Sequence, residues 1–178
     1  NLAVKAQPGA GPAAYRVAFS ADDLAPPART RRRIAPDEAL PARFDALKAD
    51  LSVRFDRPLD RRTLERARPQ PVALRIESAR AEWGDMVLEA AGELTIDARG
   101  RADGRITLRA RDWRTVLRAA VATGALPQVV AGQMETALEA LAGVAGNPRM
   151  LDIPLKVRGG RVSAGLLPVG RLPPLRLP

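Results

Sequence analysis

Two segments of this chain, Met86 to Arg111 and Leu151 to Leu166, alternate apolar and polar residues on either side of a glycine-containing turn, a pattern that suits antiparallel sheet. Side chains of an extended chain point alternately to opposite faces. Leu88, Ala90, Gly92, Leu94 and Ile96 therefore share one face, and Glu89, Ala91, Glu93, Thr95 and Asp97 share the other. Arg99 to Asp103 supplies a turn, after which Ile106, Leu108 and Ala110 return on the apolar side. Arg105, Thr107, Arg109 and Arg111 line the wet side, where Glu89, Glu93 and Asp97 are expected to meet them in cross-strand ion pairs. In the second segment Leu151, Ile153, Leu155 and Val157 run out, Gly159-Gly160 turns, and Val162 and Ala164 come back.

Other stretches carry the same period. Leu2, Val4 and Ala6, then Tyr15, Val17 and Phe19, predict an opening strand pair, and Leu51, Val53 and Phe55 predict a further strand. Val72, Leu74 and Ile76 lead toward Trp83, and a β-bulge near Ser78 is needed to keep Ala79, Ala81 and Trp83 on the apolar face. Residues 25–43 hold Pro26, Pro27, Pro36 and Pro41, which at that density defeat helix and ladder alike and predict a loop, with one helical turn at Asp37 to Leu40. A short helix is expected from Leu59 to Ala67, with Asp60 as its cap.

Between the two hairpins the period changes to that of a helix. Val116, Leu117, Ala120 and Val121 share a face behind Asp112, and Gly124 closes that helix. Pro127 opens a second, in which Val130, Met134, Ala137, Leu138, Leu141 and Val144 recur at three- and four-residue steps. The expected fold is thus α+β and mainly β. One domain spans 1–178: a curved antiparallel sheet of hairpins, two amphipathic helices within 112–146 before the last hairpin, and a Pro-rich tail, 167–178, that lies along an edge or leads to nothing ordered.

Composition narrows the chemistry. The chain has no Cys and no His, so thiol chemistry and the commonest general base and metal ligand are missing. None of the four serines has a histidine to activate it, and phosphate-loop, dinucleotide, zinc-protease and hydrolase signatures are absent. The sequence predicts neither an enzyme nor a cofactor or metal site. The net charge of +9 comes almost entirely from Arg, clustered once at Arg29, Arg31, Arg32 and Arg33. With aromatics at only 3% and no binding motif, nucleic acid is not the expected partner.

Taken in order, Trp83-Gly84, Leu88-x-Ala90-x-Gly92-x-Leu94, Asp97, Gly100, Gly104-x-Ile106-x-Leu108 and Trp113 resemble the central signature of the family of domains of unknown function numbered 2125. Ile153-Pro154-Leu155, Gly160-Arg161-Val162, Gly165 and Pro168-Val169-Gly170 are similar to its closing motif, though Gly159 stands where Asp or Asn is expected. The resemblance implies a proteobacterial envelope protein with a periplasmic body and no known activity, and a signal or anchor is expected before Asn1. The strands are also similar to those of AsmA-type proteins, whose one-sided sheets curl around lipid.

Two functions stay open. In the first, the sheet's concave apolar face shelters a lipid or other apolar ligand, with Leu88, Leu94, Ile96, Ile106 and Leu108 as lining, against the alternative that these residues are core beneath the helices. In the second, the chain is a structural or assembly protein of the envelope, touching anionic lipid or a protein partner through Arg29, Arg31, Arg32 and Arg33.

Overall fold

The protein is described from a computed structural model, covering all residues except 8–10, 12, 26–42, 61–67, 123, 125, 146–149 and 178. Among the described residues nine antiparallel strands form one unclosed sheet in strict chain order: β1 (Leu2–Ala6), β2 (Ala14–Leu24), β3 (Phe44–Phe55), β4 (Pro71–Trp83), β5 (Met86–Ile96), β6 (Ala102–Arg111), β7 (Met150–Arg158), β8 (Arg161–Ala164) and β9 (Leu167–Arg171). Two helices, α1 (Trp113–Ala122) and α2 (Gln128–Ala145), lie between β6 and β7. The fold is therefore mainly β with an inserted helix pair, as the periods predict. Despite the 38 residues that separate them, β6 and β7 remain neighbours.

Register keeps the two faces distinct across the sheet. One lateral row on the apolar face reads Val17, Leu51, Ile76, Gly92, Ile106, Leu155 and Ala164. The next row reads Phe19, Ala49, Ala79, Ala90, Leu108 and Ile153. These rows can align only because β4 is bulged: Asp50 pairs Ser78 while Leu51 pairs Ile76, so Glu77 is an extra residue. Without it every side chain from Ala79 to Trp83 would change face.

Three features go beyond the sequence pattern. β3 reaches back to Phe44, because Leu47 and Ala49 continue the alternation of Leu51 and Val53. The tail forms edge strand β9, where Pro168 is tolerated, and then crosses the sheet end, with Leu175 N–H donating to the Gly100 carbonyl. The turn expected at Asp37 to Leu40 lies outside the described residues, as does most of the helix expected at Leu59 to Ala67.

The core has two centres on the apolar face. Under the helices, Ala110, Trp113, Leu117, Leu126, Met134, Leu138 and Leu151 are buried together. At the opposite end Leu94, Ala102 and Val157 are buried, with Leu172 and Leu175 of the tail packed against them. α1 packs on β5, and α2 on β7 and β9. The helix pair thus covers one end of the later strands and the tail covers the other.

Candidate functional site

Between these two covers the apolar face carries a strip of small side chains flanked by larger ones. Ala79 and Ala81 of β4 lie opposite Ala90 and Leu88 of β5, and Ile76 lies opposite Gly92. Small residues at Ala79, Ala81, Ala90 and Gly92 form the floor. Leu47 and Leu51 of β3 and Ile106 and Leu108 of β6 stand on the flanking strands. All of these residues are half-buried, the state of a surface partly covered and partly open. Leu47, Leu51, Ala79, Ala81, Ala90 and Leu108 belong to neither buried cluster.

The five residues expected to line an apolar site are not equivalent in this arrangement. Leu88 packs at the margin of the helix cluster, and Leu94 lies buried in the tail cluster with Ile106 against it. Ile96 is buried at the end of β5, opposite Ala102. Leu108 alone of the five is half-buried and outside both clusters. Small floor residues were not singled out in the sequence, because an alanine in an alternating strand looks like filler until register sets Ala79 beside Ala90.

The opposite face is charged and contains a groove of about 940 Å³ crossing from β2 to β6. Ser52, Arg54, Arg75, Glu93, Arg105 and Thr107 are among its lining. A second groove of about 460 Å³ lies beside the bulge, lined by Glu77, Ser78, Arg80, Glu89, Arg109 and Asp152 among others. These side chains neutralise one another across the strands. Arg16 Nε donates to Asp50 at 2.7 Å, Arg109 Nε to Asp152 at 2.7 Å, and Arg75 Nε to Glu93 at 2.9 Å. Arg80 binds both Glu82 and Glu89, and Arg109 also approaches Glu89 at 4.0 Å.

The pairing expected for the arginine stripe is therefore realised only in part. Arg109 meets Glu89, but Glu93 turns to Arg75 of the preceding strand, and Asp97 binds Arg101 within its own turn. The Arg16 and Arg109 guanidinium hydrogen bonds hold Asp50 and Asp152 below the usual carboxylate range. Asp97 is lowered chiefly by the Arg101 backbone N–H, with the Arg101 side chain and the Arg99 N–H adding to it. These ion pairs are exposed and screened by water, so they set register and solubility more than stability.

Among the described residues no polar or charged side chain is buried, and no three carboxylates gather to hold a metal. No helix among them is long and apolar enough to cross a membrane. Arg29, Arg31, Arg32 and Arg33 lie outside the described residues.

No curated protein matches the chain. No solved structure matches it either, and the resemblance to AsmA-type proteins is not shown. The family model described as "Uncharacterized protein conserved in bacteria (DUF2125)" matches residues 1–173, all but the last five of the 178, and the chain belongs to that family.

Proposed function

We propose that this chain is a non-enzymatic protein of the bacterial envelope that shelters a lipid chain or similar apolar ligand on the apolar face of its sheet. The observation that carries the reading is the strip of small residues Ala79, Ala81, Ala90 and Gly92, half-buried between the helix pair and the tail. Larger side chains at Leu47, Leu51, Ile106 and Leu108 flank a floor of methyl groups and backbone, a relief suited to a narrow hydrocarbon chain. Burying such a chain removes apolar area from water on both partners, at roughly 25 cal/mol per Å². Periplasmic placement rests on what the family resemblance implies.

Extraction of the purified protein with organic solvent, followed by mass spectrometry, should release a co-purified lipid, and the emptied protein should bind a fluorescent fatty acid. A clean extract together with no fluorescent binding would overturn the proposal. Fractionation of cells expressing the full-length gene product should place it in the envelope, and recovery with cytoplasmic markers would remove that part.

A further inference from the structure

One corner of the charged face gathers five cations that have no ion-pair partner among the described residues. Arg105 of β6 lies directly opposite Lys156 of β7, and Arg158 of β7 opposite Arg161 of β8, which lies opposite Arg171 of β9. All five are exposed, and none has a carboxylate within ion-pair distance among the described residues. Two acids share these rows, Glu93 beside Arg105 and Asp103 beside Arg158, and neither forms an ion pair with the five. Glu93, opposite Arg105, is held by Arg75, and Asp103 accepts the Gly159 N–H at 2.9 Å. On the same face of β2 to β6, Arg16, Arg75, Arg80 and Arg109 each have an acid in contact, while Lys48, Arg54 and Arg111 stand apart from one another with none among the described residues.

Like charges directly opposite one another on neighbouring strands oppose sheet formation. Such pairs also occur at Lys5–Arg16 and Lys48–Arg80, where Arg16 and Arg80 are held by acids, but at this corner they run over three successive ladders with no acid in ion-pair contact. We infer that this corner, formed by Arg105, Lys156, Arg158, Arg161 and Arg171, docks on an anionic lipid surface. Shape selects that partner. The five cations form a two-dimensional array, with neighbouring strands about 4.8 Å apart and successive outward residues about 6.8 Å apart along each strand. Arg105 borders the groove described above, while Lys156, Arg158, Arg161 and Arg171 are exposed beyond its lining. A plane of headgroups meets such an array with many phosphates at once, and each cation near an anionic bilayer adds about 1 kcal/mol. Stacking on bases is not available, since the patch contains no aromatic residue. The inference is independent of the strip of small residues, which lies on the other face.

The test is cosedimentation of the full chain with vesicles of phosphatidylcholine containing about 30% phosphatidylglycerol, at low and at high salt. Replacing Arg158, Arg161 and Arg171 together by Ser should weaken binding on the order of 100-fold, following the loss of three surface cations. The triple replacement by Lys should retain binding within about 3-fold, which separates charge from any folding effect. Lys48→Ser, Arg111→Ser and Arg118→Ser in one variant remove the same charge elsewhere and should leave binding nearly unchanged. Vesicle binding that survives the Ser triple, or that falls equally in the control, would overturn the inference. So would tighter binding of a short DNA duplex than of the vesicles with the same dependence on the three arginines. Fatty-acid binding should be unaffected by the Ser triple, so this inference and the proposed function fail separately.

Discussion

Gly92 and Gly104 lie diagonally across the β5–β6 ladder, each pressed against the other's strand. A Cβ on Gly104 would stand 2.1 Å from the Glu93 carbonyl oxygen, and one on Gly92 would stand 2.3 Å from that of Arg105. The obstructing atoms are backbone, so no side chain can swing aside. Gly92→Ala or Gly104→Ala should each cost about 2–4 kcal/mol, through overpacking and backbone strain, measured by urea unfolding. Gly159 is the contrast: its φ of 54° suits Asn, and nothing stands within 4 Å of its Cβ position. Gly159→Asn should stay within about 1 kcal/mol of the parent.

Filling the strip of small residues should separate ligand binding from folding. Ala79→Leu combined with Ala90→Leu places two isobutyl groups on adjacent floor positions that are already half-buried. Fatty-acid fluorescence should fall at least about tenfold while stability changes by no more than about 1 kcal/mol. Undiminished binding would place the ligand away from this floor.

The helix pair is held through a few buried contacts. Leu138 and Met134 of α2 are buried together with Leu117 of α1, Ala110 of β6 and Leu151 of β7. Leu138→Ala should cost about 2–4 kcal/mol in chemical denaturation, through lost burial and the cavity left behind. Val129, which is 75% exposed on the same helix, should accept Ala with little change.

The pH profile follows from the carboxylates. Asp50, Asp97 and Asp152 are lowered by hydrogen bonds from Arg16, Arg101 and Arg109, and Asp56 by the Gln70 backbone N–H. A carboxylate lowered on folding adds stability that is complete above its unfolded pKa of about 3.9, and loses it as pH falls through the folded value. With His and Cys absent, no side chain of ordinary pKa titrates between about pH 5 and 8. Tm should therefore be flat across that interval and drop below about pH 4. Asp97→Asn should lower the plateau and shrink the acid drop. A marked fall in Tm between pH 5 and 8 would contradict this assignment.

Much of the fold was legible because period and face coincide in this chain. The bulge at Ser78 could be inferred because Ile76 and Ala79 are both apolar yet three apart, and only an extra residue puts them on one face. The helices announced themselves through a change of period at Asp112. The site was less legible, because its floor is defined laterally. Ala79 lies beside Ala90 through a ladder, and no single strand shows the strip. The basic corner was hidden for the same reason: Arg105, Arg161 and Arg171 are far apart in sequence and alternate with ordinary residues. Leu172 and Leu175 were also missed as core, since prolines around them masked an extended segment that packs without needing a ladder.

Strict chain order makes the sheet a stack in which each strand needs only its predecessor. Loop-closure entropy then accrues in small instalments, except at the step across the helices and at the longer connections from β2 to β3 and from β3 to β4. Assembly can proceed outward from any hairpin, and the helix pair can close only after β5 and β6 offer Leu88 and Ala110 as its seat. Pulsed hydrogen exchange during refolding should accordingly protect β4 to β6 before β7 to β9. Protection of β7 to β9 first would mean that the helices organise the strands.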